Sequence, residues 1–244
     1  MRIALISDIH ANLEALEAVL ADINQQKVDE LYCLGDVVGY GVNPNECAEL
    51  VQKHCRTTIL GNHDAAAIGL LSTQQFNVHA RIAIDWTTAN INPACGSFLN
   101  SLQMKVDNPL FSCVHATPYE PNMWYYITSL EEAAFNFQFF DSLTCFVGHT
   151  HIPIIIVFEN GKDLYVHQDN SINFSSMPNA RFLINTGSVG QPRDHNPQSC
   201  YGILDSDEKS FLFRRVTYDL QKTQAKMRKA KMPDFLISRL NEGR

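Results

Sequence analysis

The chain has no excess of positive charge. Its 19 Lys and Arg face 26 Asp and Glu, for a formal net charge of -7. That argues against a nucleic-acid surface, which is normally basic. It leaves a phosphorylated substrate open, because bound divalent cations reverse the sign locally. No apolar run is long enough to cross a bilayer, and the longest, Ile152 to Phe158, is interrupted by Pro153. The apolar stretch before Ser7 and Asp8 is too short for a signal-peptide core. No CxxC occurs, and the seven cysteines (Cys33, Cys47, Cys55, Cys95, Cys113, Cys145 and Cys200) are odd in number. Buried reduced thiols in a cytoplasmic protein are therefore expected, rather than a disulfide framework. There is no repeat, low-complexity tract or polar linker. A hydrophobic content of 45% with 18% charged residues fits a folded chain with a real core, read as one domain over residues 1–244.

The first half alternates strand and helix. Arg2 to Ser7 reads as a buried strand, and Asn12 caps a helix with Leu13, Leu16, Val19, Leu20 and Ile23 at helical spacing. A strand at Glu30 to Leu34, a turn-rich loop from Gly39 to Pro44, a helix from Glu46 to His54 and a strand at Thr57 to Leu60 follow. Helices are expected at Val78 to Ile91 and, after the break at Asn92-Pro93, near Gly96 to Leu102. Leu110 to Val114 reads as strand, Glu131 to Phe140 as helix and Cys145 to Val147 as strand. Strands then dominate: Ile154 to Phe158, Leu164 to His167, Phe182 to Ile184, Tyr201 to Leu204 and Phe211 to Val216, with Asn160-Gly161 as a hairpin turn. The polar stretch Gln168 to Asn179 reads as a mobile hairpin tip. The tail from Asp219 is helical, and its Lys226, Arg228, Lys229 and Lys231 read as a solvated face.

Seven groups able to bind a hard or borderline metal follow predicted strands: Asp8, His10, Asp36, Asn62, His115, His149 and His151. Strand ends in an open α/β sheet face one crevice, so residues far apart in sequence can meet there. Nitrogen and oxygen donors without thiolate suit Mn, Fe, Zn or a similar first-row ion. Seven donors exceed what one catalytic ion with an open position needs, and they suit two ions sharing a carboxylate. Asp8 and His10, two apart in an extended segment, would point the same way, as would His149 and His151. Gly35, Gly61 and Gly148 precede ligands where a side chain would block the backbone's approach. His54, His79, His167 and His195 lack such partners and read as surface or structural.

Asp8-Ile9-His10, Gly35-Asp36, Gly61-Asn62-His63-Asp64, His115 and Gly148-His149-Thr150-His151 together resemble the full signature of the calcineurin-like metallophosphoesterases. The stretch Asn185 to Asp194, with the C-terminal helices around Met232-Pro233, resembles the small prokaryotic phosphodiesterase branch of that superfamily. The resemblance implies an α/β fold, a four-layer α/β/β/α sandwich of two mixed sheets flanked by helices. It implies that Asp8, His10 and His151 bind one metal and Asn62, His115 and His149 a second, with Asp36 bridging. It also implies that His63 is catalytic and Asp64 its orienting partner. Manganese is the expected pair, with iron, zinc or nickel as alternatives.

The expected reaction is phosphoester hydrolysis, most readily of a diester, by attack of a metal-bound hydroxide with His63 as general acid. A serine/threonine protein phosphatase or a dinucleoside polyphosphate hydrolase would use the same site, and a non-catalytic metal-binding scaffold is the reading from a different class. The expected partner is a small phosphoester, with no stable nucleic acid or membrane contact and with homo-oligomerisation open. Arg193 either binds phosphate as a fork or pairs with Asp194 to fix its loop. Trp124, Tyr125 and Tyr126 either pack on the domain or form an aromatic wall for a base or aryl group.

Overall fold

The computed structural model describes residues 1–244. Three parallel strands, β1 (Arg2–Ile6), β2 (Glu30–Cys33) and β3 (Thr57–Thr58), start the first sheet. Helices α1 (Leu13–Gln25), α2 (Pro44–His54) and α3 (Asn62–Ala67) follow them in turn. The second sheet holds β4 (Lys105–Asp107), β5 (Ser112–Val114), β6 (Thr144–Val147), β7 (Ile154–Glu159), β8 (Asp163–His167) and β10 (Ala180–Asn185). β9 (Ser171–Asn173), β11 (Ser199–Asp205) and β12 (Ser210–Val216) return to the first. The orders are β3-β2-β1-β11-β12-β9 and β4-β5-β6-β10-β7-β8, so each sheet has six strands and mixes parallel with antiparallel pairs.

The pattern of β1 shows why the layers stack. Ile3 and Leu5 join Phe146, Phe182 and Phe211 in the core between the sheets. Ala4 and Ile6 face the other way, onto α1, α2 and α5 (Pro93–Asn100). A strand covered on both faces needs a continuous apolar run rather than an alternation. Each such Leu or Ile contributes about 1.5–3 kcal/mol on burial. The outer face of the second sheet packs on α6 (Leu130–Asn136) and on Phe137 and Phe140 after it. The C-terminal helices α7 (Leu220–Lys229) and α8 (Asp234–Glu242) close over α4 (Val78–Asn90) and the ring of Tyr40. Two mixed sheets flanked by eight helices are thus the expected sandwich. No helix is long and apolar enough to cross a membrane. The seven cysteines are free, and all but Cys55 are buried.

Several boundaries differ from the sequence reading for physical reasons. Pro44 and Pro93 do not end segments but open α2 and α5 at the first helical turn, where a missing N–H costs nothing. The stretch Gln168 to Asn179 is no mobile tip: β9 pairs with β12, and Ile172 and Phe174 enter the inter-sheet core. β4 was not expected, since Lys105-Val106-Asp107 carries a single apolar residue. Glu131 to Phe140 is helical only to Asn136 and then tightens into a 3-10 turn. Lys226 is not part of a solvated face, because its ammonium lies 2.6 Å from the buried Glu14 carboxylate.

Candidate metal centre

β1, β2, β3, β5 and β6 all deliver their carboxyl ends to one edge of the sandwich. The loops there are tied backbone to backbone: Asp8 N–H donates to Gly35 O at 3.0 Å, His10 N–H to Asp36 O at 2.9 Å, and Gly148 N–H to His115 O at 2.8 Å. The close approach explains the glycines. A Cβ on Gly61 would stand 2.1 Å from Asp36 Oδ1, and one on Gly148 would stand 2.0 Å from Ser7 Oγ. The expected extended geometry at the ligand pairs is wrong, however. Asp8, His10, Asp36, His149 and His151 all have left-handed backbones, with φ between 51° and 67°. Each such non-glycine residue costs about 1–2 kcal/mol, and the surrounding hydrogen bonds hold it there. What brings Asp8 to His10 is therefore two successive turns, not strand alternation.

All seven predicted donors are buried and converge. Asp8 Oδ1 is 3.3 Å from His151 Nε2 and 3.9 Å from His10 Nε2, and the two imidazole Nε2 atoms are 3.1 Å apart. Asp36 Oδ2 is 3.6 Å from His10 Nε2 and 3.3 Å from His115 Nε2, which is 3.2 Å from Asn62 Oδ1. Asp8, His10 and His151 form one group able to hold an ion, Asp36, His115 and His149 another, and His10, Asp36 and His63 lie close enough to form a third. Donors sharing an ion at 2.0–2.2 Å lie roughly 3–3.5 Å from one another, so the spacing fits.

The hydrogen bonds fix which nitrogen faces the centre. Nδ1 of His10, His115 and His151 meets the carbonyls of Val38, Leu34 and Gln191 at 3.1, 2.8 and 2.6 Å. A carbonyl only accepts, so each Nδ1 carries the proton. In a neutral ring that leaves the Nε2 lone pair aimed inward, as metal-bound imidazoles require. His149 Nε2 is buried with no partner. Burial holds His10 and His151 well below the usual histidine range and His149 at about 3, so these rings are neutral. His115 is the exception. Burial alone would lower it, but Asp36 beside it wins and raises it to about 9. Two lone pairs at 3.1 Å, an orphaned imidazole nitrogen and a carboxylate between two donor sets are what a cation site demands.

A sequence model for the calcineurin-like phosphoesterase superfamily domain matches residues 1–209. The chain belongs to that superfamily. It is 39% identical to an uncharacterised protein of Methanocaldococcus jannaschii, over 99% of this chain and 98% of that one. Among solved structures, a metallophosphoesterase from Sphaerobacter thermophilus is 41% identical with a TM-score of 0.87, over 100% of this chain and 99% of that one. A hypothetical protein from Pyrococcus horikoshii shares the fold at 17% identity with a TM-score of 0.80, over 100% of this chain and 98% of that one. A symmetrical bis(5'-nucleosyl)-tetraphosphatase of Actinobacillus pleuropneumoniae is 34% identical over 70 residues, 28% of this chain and 26% of that one.

The other expected residues of this phosphoesterase are placed as follows. His63, in the first turn of α3, is buried among the rings of Tyr40, His10 and Phe76 at 4.4, 4.8 and 5.2 Å. Its Nδ1 has no partner, and burial lowers it to about 4. Asp64 does not touch it. The Asp64 carboxylate instead accepts from Val38 N–H at 3.0 Å and Gly61 N–H at 3.1 Å, pinning the two loops that flank Asp36. Ring packing and Asp36, whose Oδ1 accepts from the His63 backbone N–H at 2.8 Å, therefore hold His63, rather than Asp64. Arg193 does not pair with Asp194, which pairs with Arg215. Arg193 donates instead to Gln191 Oε1 at 2.9 Å, and its guanidinium carbon lies 5.8 Å from the Tyr40 ring centroid. Trp124 and Tyr126 line a cavity of about 540 Å3 beside Asn62, His63 and His149, while Tyr125 turns away toward Tyr119.

Sequence reasoning missed Tyr40, Gln191 and Phe76. Tyr40 was passed over because Gly39-Tyr40-Gly41 reads as a turn. Its signal was the pair of glycines around an aromatic: a Cβ on Gly39 would stand 2.6 Å from His63 Nδ1. Nothing in the sequence marked Phe76.

Proposed function

We propose that this phosphoesterase is a dinuclear-metal phosphodiesterase, with residues 1–244 acting as one domain. The observation that carries the reading is Asp36 Oδ2, standing 3.6 Å from His10 Nε2 and 3.3 Å from His115 Nε2, so that one carboxylate joins two donor sets. Asp8, His10 and His151 would hold one ion, Asn62, His115 and His149 the other, and Asp36 both. Two ions there, manganese by preference and iron, zinc or nickel otherwise, supply Lewis acidity toward phosphoryl oxygens and a nucleophilic water at neutral pH.

His63 protonates the leaving oxygen. The form that gives this proton is the imidazolium: burial lowers the free ring to about 4 and keeps it neutral, and an anionic phosphoester beside it would raise that value, so that the ring takes up the proton it then delivers. Tyr40 and Phe76 fix that ring in place, so it needs no carboxylate partner. Arg193, half-buried at the rim, steers the phosphate toward the donors. The cavity of about 540 Å3 beside His63 gives one organic arm a seat, which supports a substituted phosphoester over inorganic substrates, while the diester reading rests on the resemblance of Asn185 to Asp194 to the phosphodiesterase branch. The test is turnover of bis(p-nitrophenyl) phosphate against p-nitrophenyl phosphate with manganese present. Diester turnover should dominate, and a clear monoester preference would overturn the diester reading.

A dinucleoside polyphosphate hydrolase is the second reading, supported by the 70-residue match to a symmetrical bis(5'-nucleosyl)-tetraphosphatase. Release of nucleoside diphosphate from diadenosine tetraphosphate faster than any diester is cleaved would favour it.

A further inference from the structure

The cavity beside the metal centre has walls of a particular chemistry. Tyr126 stacks on His149 with ring centroids 4.1 Å apart, and Trp124 stands edge-on to His115 at 6.0 Å, so both aromatics are fixed against donor imidazoles. Phe76, packed on His63, also lines the cavity. Further side-chain amides line it, Gln74, Gln75, Asn77 and Asn122, beside the apolar Leu71 and Met123. No Lys, Arg, Asp or Glu lines it. The turn that presents Trp124 is strained, since Glu120 and Trp124, on either side of Pro121–Met123, have φ of 41° and 57°. A bulky residue in the left-handed region is an outlier, and such strain gathers at ligand clamps.

We propose that this cavity is a nucleobase subsite, so that the diester cleaved here carries a nucleoside on one arm. Aromatic faces recognise a flat heteroaromatic ring by stacking, which tolerates any base. Primary amides offer donors and acceptors in pairs that match base edges, as Asn and Gln do to adenine. A charged arm would find no counter-ion in the lining, and the exposed amides of Gln74, Gln75 and Asn122 offer hydrogen bonds that a base edge uses and an aliphatic arm does not. This inference rests on the phosphodiesterase reading for the chemistry at phosphorus, but base recognition is measured apart from turnover.

The experiment uses the manganese-loaded chain. Trp86→Phe leaves Trp124 as the one tryptophan, because the chain has two. Titration with AMP should quench its fluorescence, whereas ribose 5-phosphate, with the same phosphate and no base, should not. By calorimetry AMP should bind about tenfold or more tighter than ribose 5-phosphate. Trp124→Ala and Gln75→Ala should each shrink that ratio, and Trp124→Phe, which restores a stacking face, should recover it. Equal affinity for the two ligands, or a ratio unmoved by Trp124→Ala, would overturn the subsite. Turnover of bis(p-nitrophenyl) phosphate in the same preparation separates the two readings. Turnover without base preference removes the subsite and keeps the phosphodiesterase. Base preference without turnover does the reverse.

Discussion

Gly61→Ala isolates the crowding around Asp36 from every other effect. Gly61 has φ -93° and ψ 167°, ordinary extended values that alanine adopts without strain. The whole penalty is therefore steric. The new methyl would sit 2.1 Å from Asp36 Oδ1, 2.2 Å from Asp36 N and 2.8 Å from Asp36 Cα, where ordinary contacts begin near 3.4 Å. Two of the three atoms are backbone, so a rotamer change of Asp36 cannot relieve the clash. The loop after β2 or the start of α3 must move by roughly 1 Å. Overpacking of that size costs about 3 kcal/mol, the upper part of its usual range. For a chain of this length that lowers Tm by about 6–12 °C. The movement also drags the Asp36 carboxylate away from His10 and His115, so the variant should bind one metal fewer, or none, by elemental analysis after dialysis. Gly96→Ala is the matched control. Its Cβ meets nothing within 4 Å, and in helix α5 alanine should be neutral or stabilise by up to about 1 kcal/mol. A Gly61→Ala protein with wild-type Tm and full metal content would refute the reasoning.

Four further outcomes are expected. His63→Ala should keep its metal content and lose about 10²–10⁴-fold in kcat, since it touches no ion in the proposed scheme; wild-type kcat would remove His63 from the mechanism. Asp36→Asn should lose metal and nearly all activity, because both donor sets share that carboxylate; elemental analysis checks it. Manganese at 100-fold over its Kd should stabilise the fold by about 2.7 kcal/mol per occupied site, seen as a Tm rise of about 5–10 °C for each ion, which EDTA reverses. Metal uptake should release about one proton at pH 7.5: His115, raised to about 9, is protonated there, while His10, His149 and His151, lowered by burial, have none to give. Affinity should therefore climb with pH and level off near 9. Calorimetry in buffers of different ionisation enthalpy measures the proton count, and a count of zero would contradict the Asp36–His115 coupling.

The convergence of the candidate donors was legible because each member is the wrong residue for packing at the end of an apolar strand. Asp8 after Ile6 and Asp36 after Leu34 stand out against such runs. The sandwich was legible too, since fully apolar strands such as β1 must be covered on both faces. What failed was local. Left-handed backbones at Asp8 and His10 leave no pattern in the sequence, because both residue types tolerate that region without requiring it, so only tertiary hydrogen bonds reveal them. β9 and β4 carry too few apolar residues to announce themselves. Asp64 as the partner of His63, and Asp194 as one of the two alternatives for Arg193, each took a neighbour in sequence for a neighbour in space. Asp64 reaches Val38, Arg193 reaches Gln191 and Tyr40, and Asp194 reaches Arg215.

The donors come from both layers: Asp8, His10, Asp36 and Asn62 follow strands of the first sheet, and His115, His149 and His151 follow β5 and β6 of the second. Neither layer supplies all of the candidate donors. Any slippage of one sheet over the other, even by a fraction of an ångström, opens or squeezes the gap between Asp36 and His115. The phenylalanines that wedge the layers apart, Phe146, Phe182 and Phe211, thus act as a spacer gauge for chemistry they never touch. Trimming one of them should degrade metal affinity before it unfolds the chain.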